Sequence, residues 1–153
     1  MLKLPRQNRY ARSILPDRKD WSWPEGKRVA FYLATNIEVF AFGAGRSPDA
    51  TSLTSGPTTR NYAWRDYGNR VAIWNLYDVL DEMKLPTSCL INTLIYDEYP
   101  EIMDRMRERG DAVVAHGRTN AEVPTGMWED DERRLIADST AAIEKHEGHP
   151  PKG

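Results

Sequence analysis

The chain has 153 residues, of which 40% are hydrophobic and 29% are charged, and its 21 Lys and Arg nearly balance its 23 Asp and Glu, giving a net charge of −2. This balance provides no basic surface for nucleic acid or an anionic membrane, and the longest apolar run, residues 29–34, is far shorter than the ~20 residues that span a bilayer. The single cysteine excludes a disulfide framework and a multi-cysteine zinc site, and with no apolar targeting segment at its start the sequence predicts a soluble, cytoplasmic domain with one core.

Residues 1–27 are predicted to form an arm outside this core. The segment is rich in Lys, Arg and Pro and has no hydrophobic periodicity. Its end, WSWPEGKRVA, contains the Pro and Gly of a turn that leads into a strand. We therefore expect a solvated arm that lies across a neighbouring surface, followed by a folded part over residues 28–153.

The first predicted strand spans residues 28–37 and contains the apolar run VAFYLA. Such a run is typical of a strand that is buried on both faces of a parallel sheet. A polar segment follows over residues 42–64 and is rich in Gly, Ser, Thr and Pro. A loop of this length in a compact domain is usually functional or disordered.

Helices and strands then alternate along the chain. The first helix is predicted from an apolar stripe at helical spacing, with Asp66 as its N-cap, and a strand, PTSCLIN, follows it. A second helix over residues 98–109 ends at Gly110, the third strand is DAVVAH, and a third helix over residues 128–146 opens with four acidic residues. The stripe of the first helix consists of Ile73, Leu76, Tyr77, Leu80 and Met83.

This order, β-α-β-α-β-α, predicts an α/β fold with a parallel sheet and right-handed connections. Three strands leave both edges of such a sheet open. We therefore expect the chain to supply about half of a larger sheet. Cys89 lies inside the second strand and is predicted to be a buried, unreactive thiol.

Polar residues interrupt the apolar strands at their carboxyl ends, where parallel α/β proteins bind ligands. Asn36 and Glu38 end the first strand and share a parity that directs both side chains to one side, and Asn92 ends the second strand. The third strand leads into His116, Arg118 and Asn120. A ligand site at these ends is the interpretation we favour, while strand capping and a core histidine are the structural alternatives.

The sequence around these residues resembles the polysaccharide deacetylase (NodB-homology) superfamily. The resemblance rests on WPEGKRVAFYL, on the Asn36-x-Glu38 strand end, on RDYGNRVAIWNLYDVLDEMKLPTSCLIN and on AVVAHGRTNAE. It covers residues 20–153 and is strongest to the branch that contains the metal-independent allantoinases and cyclic-imide hydrolases. It implies an irregular (β/α) barrel, of which this chain supplies the amino-terminal half.

Two departures from the metal-dependent deacetylases bear on a metal site. Those enzymes carry an Asp-Asp pair where this chain has Asn36-Ile37-Glu38, and His-x-x-x-His where it has His116-x-x-x-Asn120. Asn cannot act as a base near pH 7, and its carbonyl binds divalent cations weakly. The resemblance therefore implies no metal and no other cofactor, and a zinc ion held by Glu38, His116 and Asn120 is the alternative.

From these residues we expect a hydrolase that acts on a non-peptide carbon–nitrogen bond in a small cyclic amide, a ureide or an N-acylated sugar. Glu38 is the only carboxylate at a strand end and would orient or deprotonate water, while His116 would donate to the oxyanion or the leaving nitrogen. The residues expected to bind substrate are Asn36, Asn92 and Asn120 through their amide edges, Arg118 through its charge, and Trp64 as a lid.

Two other functions stay open at this point. One is a metal-dependent deacetylase that acts on sugars. The other is a chain that is no enzyme by itself, either a non-catalytic subunit or half of a split hydrolase; a truncated gene product and a proteolytic fragment have the same sequence. Because the predicted sheet is open at both edges, we expect a partner that continues it, either a complementary carboxyl-terminal chain or a second copy.

Overall fold

The computed structural model of the chain describes residues 7–42 and 58–153. The greater part of the predicted polar segment, residues 43–57, therefore lies outside the described residues. The chain divides between Phe31 and Tyr32 into two compact units. All strands and α-helices that the structure describes belong to the second unit.

The described part of the first unit contains two short 3-10 turns, Leu15–Asp17 and Pro24–Gly26. None of residues 7–31 is buried. The rings of Trp21 and Trp23 contact each other edge to face, with their centres 4.6 Å apart. With no buried side chain, this segment gains little from the hydrophobic effect, and local turns determine its conformation.

Three parallel strands form the sheet of the second unit: β1, Ala34–Ile37; β2, Ser88–Ile91; and β3, Ala112–Ala115. β2 lies in the middle. The register places Ile37 opposite Ile91, and Ile91 opposite Ala115, so the three strands end at the same level. The predicted parallel sheet and the β-α-β-α-β-α order are confirmed.

The first strand is shorter than the sequence predicts. Residues 28–33 are not part of β1, and the side chains of Val29, Phe31 and Tyr32 are 73–81% exposed, so the prediction of burial on both faces is wrong for this run. β2 begins opposite Ala34, and no described strand lies along the other edge of β1. Before Ala34, the main-chain O of Leu33 still accepts a hydrogen bond from N of Ser88 at 2.9 Å, but among the described residues the paired register of β1 begins at Ala34.

Helices cover one face of the sheet, and among the described residues the side chains on the other face are not fully buried. Ile37 and Cys89 point toward the helices and are at most 1% exposed. Asn36 and the residues beside it in register, Leu90 and Val114, lie on the opposite face and are exposed or half-buried. The helices contribute to the core through Ile73, Tyr77, Leu80, Ile102, Met103, Met106 and Ile143.

One helical path connects β1 to β2, although its middle is not α-helical. Helix α1, Thr59–Tyr67, leads into a π-helical turn, Gly68–Ala72, and then into helix α2, Ile73–Met83. On α2 the predicted apolar stripe is confirmed in part. Leu76 and Met83 are 37% and 60% exposed, whereas the other three members are buried, because the face that reaches the sheet is narrower than the stripe.

The start of this helical path corrects the predicted cap. The side chain of Thr58 caps α1 by accepting a hydrogen bond from N of Asn61 at 3.2 Å. Asp66, the predicted N-cap, lies near the end of α1 and pairs with Arg70 at 2.9 Å. The helix begins earlier than predicted because residues 59–67, although polar, contain no Gly or Pro that would interrupt it.

The connection from β2 to β3 contains two helices where one was predicted: α3, Ile95–Glu98, and α4, Pro100–Arg109. Gly110 ends α4 with a φ of +73°, as predicted for a helix C-terminus. Helix α5, Glu129–Glu147, follows β3 and has its four acidic residues in its first turn. None of the helices in the described residues has an apolar stretch long enough to cross a lipid bilayer.

The last residue of the chain lies beside the outer edge of β3. N of Ala115 donates a hydrogen bond to O of Gly153 at 2.9 Å. This edge of the sheet, which the sequence predicted to be open, is therefore contacted by the chain itself. Among the described residues, the outer edge of β1 has no such contact with a strand.

Candidate active site

The two side chains predicted to carry the chemistry meet at the carboxyl ends of β1 and β3. Glu38 follows the last residue of β1, and His116 follows the last residue of β3. Oε1 of Glu38 lies 3.5 Å from Nε2 of His116. The side chains are 23% and 36% exposed, so a small molecule can reach both.

Three neighbours determine the position of Glu38. Nδ2 of Asn36 donates a hydrogen bond to Oε1 at 3.3 Å, and Nη1 of Arg65 lies 3.6 Å from Oε2. Nδ2 of Asn69 donates to the main-chain oxygen of Glu38 at 2.8 Å. The carboxylate oxygens thus face an amide, a guanidinium and an imidazole at once, and the backbone that carries them is held by a side chain of the π-helical turn.

Asn92 ends β2 between these two strands, but it is fully buried. Its Oδ1 accepts a hydrogen bond from N of Val39 at 2.9 Å. Its Nδ2 donates to O of His116 at 2.6 Å and to Oδ1 of Asn120 at 3.4 Å. Because both ends of the amide are engaged and no surface is exposed, the predicted substrate contact is wrong for Asn92, which instead joins the three strand ends.

Arg118 and Asn120 lie in the segment after β3, close to His116. The guanidinium of Arg118 pairs with both carboxylate oxygens of Glu122. The main-chain N of Asn120 donates to O of Val39 at 2.9 Å, which ties this segment to the end of β1. Both side chains line a cavity together with His116, a position compatible with the predicted contact to substrate.

Trp64 lies on α1, and 70% of its side chain is exposed. It does not line the cavities beside Glu38 or His116. Its role as a lid stays a prediction.

Two residues that contact Glu38, Arg65 and Asn69, were missed in the sequence. They are four residues apart on the helical path, and that spacing places side chains on the same side of a helix. The available signal was this spacing. However, a loop was predicted up to Trp64, immediately before Arg65, so no helix face that includes Arg65 was considered.

Two cavities flank the Glu38–His116 pair. One of about 380 Å³ lies between β1 and the helical path and is lined by Asn36, Glu38 and Arg65. The other, of about 460 Å³, lies between α5 and the segment that begins at His116. A side chain in its wall, Ser139, has a buried hydroxyl with no hydrogen-bond partner among the residues that the structure describes. A ligand can thus approach the pair from two directions.

The residues predicted for the alternative zinc site do not fit a zinc ion. In the part of the chain that the structure describes, no three His, Cys, Asp or Glu side chains are grouped closely enough to hold a metal. Oδ1 of Asn120 already accepts a hydrogen bond from Asn92. The guanidinium of Arg65 lies beside Glu38 and repels a second cation. The proposed reaction therefore contains no step through a metal.

Cys89 lies in the core, where the sequence predicts it. It has no exposed surface, and burial raises the pKa of its thiol to about 12. Its Sγ lies 3.9 Å from Oη of Tyr77, and burial raises the pKa of that hydroxyl as well. A thiol that stays protonated and enclosed at neutral pH takes no part in the chemistry.

The family is identified by a match that begins within α1 and runs to the last residue. Residues 62–153, which are 92 of the 153 residues, match the family model of polysaccharide deacetylase. The chain belongs to the polysaccharide deacetylase family. The matched part includes His116, Arg118 and Asn120, whereas β1 with Asn36 and Glu38 precedes it.

Solved structures show the same fold. Puue allantoinase superposes with a TM-score of 0.69 over 84% of this chain at 17% sequence identity. Two candidate polysaccharide deacetylases, from Mycobacterium smegmatis and Pseudomonas aeruginosa, have TM-scores of 0.64 and 0.65, identities of 24% and 16%, and cover 86% and 78% of this chain. No curated protein matches the sequence.

The chain spans about half the length of these structures, since the matches cover 44–46% of each of them. Its α/β architecture with a parallel sheet is that of part of a deacetylase-type (β/α) barrel. The predicted fold class is therefore confirmed, and the resemblance found in the sequence leads to the same family.

Proposed function

We propose that this chain carries the water-activating and proton-donating groups of a hydrolase that cleaves a non-peptide carbon–nitrogen bond. The main support is the meeting of Glu38 and His116, 3.5 Å apart, at the end of a parallel sheet where ligands bind. The family supplies the reaction class, because deacetylases and allantoinases both hydrolyse an amide-type bond.

In the proposed reaction, Glu38 accepts a proton from a water molecule whose oxygen attacks the carbonyl carbon of the substrate. His116 donates a hydrogen bond to the carbonyl oxygen as negative charge develops there. The carbon–nitrogen bond then breaks, and the leaving nitrogen takes up the proton that Glu38 accepted from water, which returns Glu38 to its carboxylate form. Asn36 donates to the same oxygen of Glu38 that faces His116, and so keeps that oxygen directed at the reacting atoms.

The charges around the pair favour a small neutral substrate. The carboxylate of Glu38 faces Arg65, and Arg118 pairs with Glu122, so neither partner leaves a net charge to attract an ionic molecule. The cavity of about 460 Å³ beside His116 has the size of a small-molecule site. We expect a cyclic amide or ureide, and an N-acyl sugar is the other substrate class to be tested.

The test is turnover of cyclic imides, ureides and N-acetylated amino sugars, followed by NMR of the released products. Glu38→Gln keeps the size and the hydrogen bonds of the side chain but removes the base, and should lower kcat by at least about 100-fold. Glu129→Gln is the matched control, because Glu129 is 84% exposed on α5 and pairs only with Arg133 among the described residues. Equal kcat values for Glu38→Gln and the unmodified chain would contradict the proposal.

We also propose that the active protein contains a further polypeptide that continues the sheet, either a complementary carboxyl-terminal chain or a second copy. The support is physical. In the described part of the chain, the face of the sheet that carries Asn36, Leu90 and Val114 is not fully buried, and apolar Phe31 and Tyr32 are exposed before β1. Exposed apolar surface of this kind marks an interface.

A further inference from the structure

Arg65 brings a positive charge to the Glu38–His116 pair, and it is held in an unusual way. Its Cζ lies 3.7 Å from the centre of the Phe40 ring, within the range of a cation–π contact. Its Nε is buried and has no hydrogen-bond partner in the part of the chain that the structure describes. Its ion contact in the described residues is Nη1 to Oε2 of Glu38 at 3.6 Å. Burial lowers the pKa of the guanidinium and Glu38 opposes this, but an arginine stays protonated.

Arg109 shows how a structural arginine is bonded in this chain. Arg109 is 5% exposed and donates hydrogen bonds to Asp111 at 2.7 Å and to O of Leu85 at 2.9 Å. Arg65, by contrast, has a side chain that is 25% exposed, and its contact with one carboxylate lies beyond hydrogen-bond distance. A buried N–H group without a partner lowers stability, and the close pairing that surrounds Arg109 is not found around Arg65 among the described residues.

We propose that Arg65 is the fixed cation of this site. It holds the Glu38 carboxylate toward His116, and it occupies the place beside that carboxylate from which a divalent metal ion would otherwise act. The geometry divides the two carboxylate oxygens, because Oε2 faces Arg65 while Oε1 faces His116. A full positive charge at 3.6 Å repels a second cation from the same carboxylate. Stacking on Phe40 keeps the guanidinium in that place.

This inference rests on the proposed function only in treating Glu38 as the reacting carboxylate. Zinc affinity can be measured without any substrate, by competition with a chromophoric chelator on the full chain. Failure of the zinc prediction and failure of the hydrolase proposal are therefore distinguishable, because one is read from metal binding and the other from turnover.

The experiment compares the zinc affinity of four variants. Arg65→Met is neutral and of similar length, and should bind zinc at least about tenfold more tightly than the unmodified chain. Arg65→Lys keeps the charge and should bind zinc like the unmodified chain. Arg70→Met is the matched control, because Arg70 lies on the same helical path but pairs with Asp66. Adding Glu38→Gln to Arg65→Met should abolish the gain.

Equal zinc affinity of Arg65→Met and the unmodified chain would overturn the proposal, and so would a gain that persists in the Glu38→Gln background. A second measurement uses only the unmodified chain, so it does not depend on whether the Arg65 variants fold. In the unmodified chain, the NMR signals of the His116 ring should not move at zinc concentrations that shift those of the exposed His146 and His149. A His116 signal that moves first would also overturn it.

Discussion

Asn92 supports the site although no ligand can reach it. Its side-chain amide accepts from Val39 and donates to His116 and Asn120, so it connects the residues that follow all three strands. The position of the His116 ring relative to Glu38 depends on this connection, since the main chain that carries the ring is bonded to the Asn92 amide. A polar residue at a strand end can thus serve the site through the backbone alone.

We expect Asn92→Ala to lower the free energy of unfolding by about 1–3 kcal/mol, because N of Val39 would lose its partner in a buried position. Urea denaturation measures this change. Asn36→Ala is the control at a neighbouring strand end, and because Asn36 is exposed its effect should stay within about 0.5 kcal/mol. Equal losses for the two variants would contradict the role assigned to Asn92.

Hydrophobic periodicity was sufficient to predict a helix or strand where one side of that element packs against the core. Cys89 and Ile91 on β2, together with Thr87 just before it, alternate with half-buried neighbours, as the sequence predicts, because these side chains face the helices. Residues 28–33 were predicted to be strand from their apolar character, but a strand also needs a paired neighbour, which the pattern of one segment does not reveal. Residues 59–64 were taken for the end of a loop, since a helix that lacks an apolar stripe gives no periodic signal.

The candidate site was also predictable only in part. Strand ends are recognisable in the sequence, so Glu38 and His116 could be placed together before the structure was known. Arg65 precedes the predicted N-cap, whereas Asn69 lies just inside the predicted helix, and the contacts of both with Glu38 depend on how the helical path lies beside β1. Such a contact is a property of tertiary packing, which no local pattern encodes.

The glycines that flank the helices allow a direct test of backbone conformation. Gly110 ends α4 with a φ of +73°, where any side chain is strained, so Gly110→Ala should lower the free energy of unfolding by about 1 kcal/mol. Gly68 is the matched control: its φ is −54° and nothing lies within 4 Å of an added Cβ, so Gly68→Ala should raise stability by up to about 1 kcal/mol. Thermal unfolding of the two variants should therefore shift in opposite directions, and a shift in the same direction would contradict the assigned conformations.

For the molecule as a whole, the incompletely buried face of the sheet is the feature with the largest consequence. A chain of this size normally buries about 68–70% of its unfolded surface, and a sheet with one face incompletely buried falls short of that. We expect analytical ultracentrifugation at micromolar concentration to show association, either with a co-purifying polypeptide or between copies. A single species of 17.5 kDa that melts cooperatively would contradict the need for a partner.

The π-helical turn determines how α1 is rotated relative to α2. A π turn contains one residue more than an α turn, and each residue of an α-helix advances by about 100° around the axis. A deletion of one codon in Gly68–Ala72 would restore a regular helix and rotate everything before it by that angle. Arg65 would then leave Glu38, while α2 and the core beneath it stayed in place. The number of residues in this segment therefore matters to the site alongside their identity, since Asn69 of the same segment also donates a hydrogen bond to Glu38.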